Sequence, residues 1–188
     1  MDNHLKIINY LGKHVDRPFT MLELSKTTKI PYATIHRTIN KIKDLVKIQT
    51  MGKSKILVLN RENAAIKSYL TISSEEKKEY LKKQPIINKI MSELDTKDTV
   101  ILFGSYAKGG QKETSDIDLL IINKKGEKSI SFLKYEILFK KKINPIFFTK
   151  QEFKKMLHDK EENVGKQALR NHIILKNSEK FWECVLYG

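Results

Sequence analysis

Apolar residues recur with a helical period through the first sixty positions. Leu5, Ile8 and Leu11 are three apart and predict an amphipathic helix over residues 3–14, ended by the Asp16 to Pro18 segment. Thr20 and Glu23 make a capping box, in which the threonine oxygen and the glutamate carboxylate each satisfy an orphan amide. They open a short helix over Met21 to Thr27. Pro31 then stands at a first helical position, and Ile35, Ile39, Ile42 and Leu45 form one apolar stripe, so a third helix is expected over 31–44. Two β-rich segments come next, Val46 to Thr50 and Lys55 to Leu59, separated by a hairpin loop, Met51-Gly52-Lys53-Ser54.

Beyond residue 60 the pattern changes. Ile66, Tyr69 and Leu70, then a capping box from Ser73 to Glu76 and a charged helical stretch, predict a helical linker over 61–84, closed by Pro85. Val100 to Phe103 reads as a buried strand, and a second strand begins at Asp116-Ile117-Asp118. A helix over 129–141 and a strand from Ile143 to Phe148 come next, and Thr149 with Glu152 makes a further capping box. The tail is expected to be helical throughout. Its apolar groups are Phe153/Met156/Leu157, Val164/Ala168/Leu169, Ile173/Ile174/Leu175 and Phe181/Trp182/Val185/Leu186, read as packing on the sheet, with His158 and His172 as ordinary helix residues. The expected organisation is 1–60, a linker over 61–84, and 85–188.

With 188 residues, 40% hydrophobic and 31% charged, the chain has the composition of a folded protein of one or two modules. Its apolar runs fall far short of the ~20 residues that span a bilayer, and charged or polar residues interrupt the N-terminus. A cytoplasmic protein without membrane contact is therefore expected. One cysteine, Cys184, leaves no intrachain disulfide and no multi-cysteine zinc site. The net charge of +14 makes nucleic acid or another polyanion the first partner to consider. Lys so far above Arg is also what an AT-rich genome or a thermophilic surface gives. Residues 1–60 nevertheless hold nine Lys and two Arg against four acids, so half the net charge lies on a third of the chain.

The stripe Ile35/Ile39/Ile42 faces a core, which leaves Tyr32, Thr34, His36, Arg37, Thr38 and Lys41 for the first turn and opposite face of the third helix. Arginine can read guanine edges, whereas Thr, Tyr and Lys mostly hold phosphates, and Lys53 and Lys55 on the hairpin could reach an adjacent backbone. Residues 3–59, and IPYATIHRTINKIKDL in particular, resemble the winged helix-turn-helix of bacterial and archaeal regulators. That resemblance implies binding of double-stranded DNA, or else protein docking, which winged helices also perform.

The segment VILFGSYAKGGQKETSDIDLLII concentrates the chemistry. Side chains at i and i+2 of a strand share a face, so Asp116 and Asp118 present two carboxylates together. Such a pair repels unless a cation lies between them, and magnesium, a hard ion that shares its shell with substrate phosphates, suits it. Gly104 removes a side chain where phosphate would approach backbone, the Ser105 hydroxyl would hold that phosphate, and Lys108 is placed to help. Gly104 and Gly109 have Walker A spacing, but Gly110 and Gln111 stand where Lys and Ser/Thr are required, so this is not a P-loop.

Strand, Gly-Ser, ten residues, Asp-x-Asp, strand resembles the minimal nucleotidyltransferases of the DNA polymerase β superfamily over about residues 85–150. The resemblance implies a mixed α/β (α+β) fold with a small mixed sheet flanked by helices. It also implies Gly104 and Ser105 on NTP phosphates and Asp116 and Asp118 on Mg2+ (or Mn2+), with in-line transfer of a nucleotidyl group to a hydroxyl. The family places a third carboxylate on the strand where Asn144 stands here. An amide can neither supply that charge nor accept a proton at neutral pH. Two functions are consistent with this: DNA-tethered transfer of NMP from an NTP, with ATP expected, to a protein or nucleic-acid hydroxyl, or a DNA-binding regulator or antitoxin with an impaired transferase domain. A small helical toxin and a second copy of the chain are the further partners considered.

Overall fold

In a computed structural model of the chain, residues 2–52 and 54–187 are described. The fold is mixed α/β and divides into two compact units, Met1–Ser73 and Ser74–Gly188. Among the described residues no helix is long and apolar enough to cross a membrane.

The first unit runs α1 (Asn3–Lys13), β1 (Phe19–Thr20), α2 (Met21–Thr28), α3 (Tyr32–Lys41), β2 (Val46–Met51), β3 (Ser54–Leu59) and α4 (Ile66–Ser73). The Thr20/Glu23 box is present: the Thr20 amide donates to Glu23 Oε2 at 2.7 Å and the Glu23 amide donates to Thr20 Oγ1 at 3.2 Å. Pro31 sits one position before the helix, at the N-cap, and α3 stops at Lys41, short of the expected 31–44. Ile42 and Leu45 are still buried, so the apolar stripe continues through a turn after the helix hydrogen bonds end.

The hairpin is tighter than its sequence suggests. Met51 pairs with Ser54, so the strands extend to both residues assigned to the loop. β1 adds a third, two-residue strand against β3, with Phe19 opposite Leu57, giving the antiparallel order β1-β3-β2. Ile7, Ile8, Leu11, Leu24, Ile35, Ile39 and Leu57 form the core beneath it. Asn9, buried on α1, donates to the Ser73 carbonyl at 3.2 Å and ties α4 into this unit.

The second unit contains α5 (Glu76–Lys83), α6 (Pro85–Glu93), β4 (Thr99–Phe103), α7 (Gly104–Lys108), β5 (Ile117–Asn123), α8 (Leu133–Phe139), β6 (Ile143–Thr149), α9 (Lys150–His158), α10 (Val164–Arg170), β7 (Ile173–Lys176) and α11 (Ser178–Leu186). The sheet order is β6-β5-β4-β7, with β5 and β6 parallel and the other pairs antiparallel. One face presents Val100, Leu102, Ile117, Leu119, Ile121 and Ile143 to α6 and to Phe132 and Tyr135. Alternation turns Ile101, Leu120 and Ile174 to the other face, against α9, α10 and α11.

Ile173, Ile174 and Leu175 correct the all-helical reading of the tail: they form β7, an edge strand beside β4. The reason is local. Three successive buried apolar residues, two of them β-branched, occupy both faces of a sheet readily, whereas one side of a short helix would leave one of them in solvent. His172, just before β7, lies outside any helix, which corrects its reading as a helix residue. It is buried, its Nδ1 lies 2.7 Å from the Leu169 carbonyl, and its ring packs on Phe181 and Trp182. Trp182 is fully buried and its indole N–H donates to Ser74 Oγ at 2.8 Å, while Tyr187 is exposed.

Candidate active site

Strand pairing builds the site in the second unit. Phe103, the last residue of β4, lies opposite Asp118, so the chain leaves β4 at Gly104 directly beside the Asp118 side chain. Gly104 adopts φ +71°, and a Cβ there would overlap Asp118 Oδ2. Both constraints require glycine: a side chain would be strained in the left-handed region and would displace the carboxylate. Ser105 comes next, in the first turn of α7, half-buried, while Lys108 ends that helix, exposed, before Gly109 closes it in a second left-handed conformation.

The parallel register of β5 and β6 supplies the rest. Asp118 pairs with Asn144, and the Asn144 amide nitrogen lies 3.2 Å from Asp116 Oδ2 and 3.2 Å from Asp118 Oδ1. One amide therefore donates to both carboxylates and relieves part of their mutual repulsion. Asn144 thus lies beside both aspartates, at the position for which the family resemblance implies a third carboxylate. Lys142, two residues earlier, reaches Asp116 Oδ2 at 3.7 Å, and its carbonyl accepts from the Ile117 amide at 2.9 Å.

Lys142 is not singled out by the sequence. The register that sets Asn144 beside Asp118 also sets residue 142 beside residue 116, so its signal emerges only once the strand pairing is known. No cluster of three or more His, Cys, Asp or Glu side chains suited to a metal occurs among the described residues. Asp116 and Asp118, half-buried and open to solvent on one side, are the oxygen donors available to a hard cation.

The residues expected to contact DNA do not all share one surface. Tyr32, His36 and Lys55 line a cleft of about 510 Å3 together with Leu22 and Ser54, between α2, α3 and the hairpin. Thr34, Arg37 and Lys41 line a second, of about 230 Å3, against the start of α1. Thr38 lines it too but is 5% exposed, because its position on α3 turns toward the core beside Ile39 and leaves little of it to reach a partner. Lys53 lies outside the described residues.

Residues 85–182 match the family model described as a nucleotidyltransferase domain, a span that contains the Gly104/Asp118 contact and the whole four-stranded sheet. The chain belongs to this nucleotidyltransferase family. Among curated proteins it is similar to one from Methanocaldococcus jannaschii named as a candidate protein adenylyltransferase. The two are 42% identical over 82 residues, covering 38% of this chain and 78% of that relative. No solved structure matches the chain. Asn144 and Lys142 are thus features of a nucleotidyltransferase domain, set against its two aspartates.

Proposed function

We propose that the second unit transfers a nucleoside monophosphate from an NTP, with ATP favoured by the name of the relative, to a hydroxyl of a protein or nucleic acid. The observation that carries this reading is the Gly104 approach to Asp118, which places a side-chain-free turn against the Asp116/Asp118 pair. Asp116 and Asp118 would hold Mg2+ or Mn2+, which supplies charge neutralisation at the phosphates. Gly104 lets the phosphate chain approach backbone, the Ser105 hydroxyl donates to it, and Lys108 and Lys142 add positive charge at the rim. The acceptor oxygen forms a bond to the α-phosphorus as the bond from that phosphorus to the bridging oxygen breaks. Pyrophosphate leaves with the electron pair, and the hydroxyl proton passes to solvent, since the Asn144 amide cannot accept it.

The first unit supports a winged helix-turn-helix reading. A hairpin stands beside a helix whose exposed face carries Tyr32, His36, Arg37 and Lys41, with Lys55 on the strand nearby. On this reading it docks on double-stranded DNA and tethers the transferase. Asn144 favours a second reading, in which transfer is impaired and the chain is a DNA-binding regulator or antitoxin that retains nucleotide binding, with a helical toxin as its partner.

The test is transfer of label from each α-labelled NTP, with Mg2+ or Mn2+, to the protein itself or to a cell extract, beside an Asp116→Ala/Asp118→Ala control. Label that disappears in the control supports transfer and sizes the acceptor. Absence of label above the control, in a preparation that still binds DNA, overturns transfer and leaves the regulator.

A further inference from the structure

A second cationic feature lies at the other end of the same sheet. Where β4 begins and β5 ends, Thr99 and Ile122 floor a cavity of about 520 Å3, walled by Lys97, Lys124, Lys150 and Lys180. Its volume falls within the range of roughly 300–1,000 Å3 typical of small-ligand clefts. Asp118 and Asn123 are five positions apart on β5, about 17 Å at strand rise, so this cavity and the aspartate pair lie at opposite ends of the strand.

The two acids at the cavity are already engaged. Glu183 accepts from Lys150 Nζ at 2.5 Å, and Asp98 Oδ2 accepts from Ser129 Oγ at 2.6 Å. Four lysines against two acids leave the lining with net positive charge. The walls are also held in place before any ligand arrives. Asn123 Oδ1 accepts from the amides of Lys125 and Gly126 at 3.0 and 2.7 Å, and its Nδ2 donates to the Glu127 carbonyl at 2.8 Å. Asn177 Nδ2 donates to the Asp98 carbonyl at 2.7 Å, and Lys180 Nζ to the Lys97 carbonyl at 3.1 Å. Around this fixed frame the lysines outnumber the acids, and a multiply charged anion offsets the excess positive charge with little reorganisation.

We infer that this lysine-walled cavity is a second anion site, which takes the polyphosphate chain of a small molecule independently of the Asp116/Asp118 pair. The chain can belong to a nucleotide, whose base would rest on the apolar Ile122 and Cys184 side, or to inorganic triphosphate. The inference does not depend on the transferase reading, because the cavity needs no divalent cation.

Binding of inorganic triphosphate and of ATP is measured by calorimetry in EDTA. The expected result is binding that survives Asp116→Asn/Asp118→Asn and weakens at least about tenfold in Lys97→Gln/Lys124→Gln. Neither of those lysines anchors a wall through its ammonium group, and Lys78→Gln/Lys82→Gln on exposed α5 controls for charge alone. Tighter binding of ATP identifies the nucleotide as the source of the chain, and equal binding identifies the phosphates alone. No binding in EDTA, equal weakening by the α5 control, or loss with the aspartates overturns the inference.

Discussion

The two units are both basic, with net charges of +8 over residues 1–73 and +6 over 74–188, but they place their charged side chains by different means. In the second unit, strand register fixes them: Asp118 faces Phe103 on one side and Asn144 on the other, and the places of Gly104 and Lys142 are set by those pairings. In the first unit, the basic side chains stand on an exposed helix face whose neighbours hold them loosely. Arg37, for example, makes one long hydrogen bond from its Nε, 3.4 Å to the Ala33 carbonyl one turn back. A site built by register is precise and intolerant of substitution. A face built by exposure is tolerant, and its effects are graded and salt-dependent.

Gly104→Ala tests that contrast most severely. A left-handed non-glycine residue costs ~1–3 kcal/mol, and the added methyl also displaces Asp118, so the variant should bind NTP poorly and unfold at lower urea. Urea melts and nucleotide titrations check both. Gly52, also at positive φ but with nothing within reach of a Cβ, should show the strain without the loss of binding when changed to Ala.

Asn144→Asp comes next. Placing a third carboxylate beside the pair should tighten Mn2+ binding and raise transfer by about tenfold for each ~1.4 kcal/mol of added transition-state stabilisation. Unchanged transfer would show that the proton-accepting group is not what restrains this site.

Effects in the first unit should be smaller and additive. If the first unit docks on DNA as proposed, Arg37→Ala and Lys41→Ala should each weaken that binding and lower the slope of log affinity against log salt by about one for every phosphate no longer neutralised, as anisotropy titrations at several salt concentrations would measure. Thr38→Ser should leave it unchanged, since Thr38 is buried. The mildest effect concerns the caps. Thr149 holds the Glu152 carboxyl below its ordinary value of 4.5 through backbone and side-chain hydrogen bonds. A depressed folded value adds stability above pH 4.5 that is lost as pH falls through the folded value, so the melting temperature should drop in acid more for the wild type than for Glu152→Gln.

Legibility in the sequence divides along the same line. The Gly104-Ser105 and Asp116-x-Asp118 elements are readable because their geometry is fixed by strand periodicity over a short span. So are both Thr/Glu caps, whose partners lie three residues apart. The place of Asn144 requires a pairing between distant strands, and no local pattern shows it: only the family resemblance points to Asn144, which the structure sets opposite Asp118. β7 reads as helix in the sequence because a four-residue buried strand carries no period-two alternation, and its neighbour β4 lies some seventy residues earlier. The lysine-walled cavity is not legible at all. Its lysines come from four separate segments of a lysine-rich chain and meet only through the fold.

The central claim is that Asp116 and Asp118 hold a cation together with the nucleotide. Titration of Mn2+ by electron paramagnetic resonance, with and without ATP, in the wild type and in Asp116→Asn/Asp118→Asn tests it most directly. The account predicts protein-bound Mn2+ that ATP increases in the wild type and that disappears from the variant while its melting curve stays cooperative. Equal Mn2+ binding by the two proteins in the presence of ATP would contradict it.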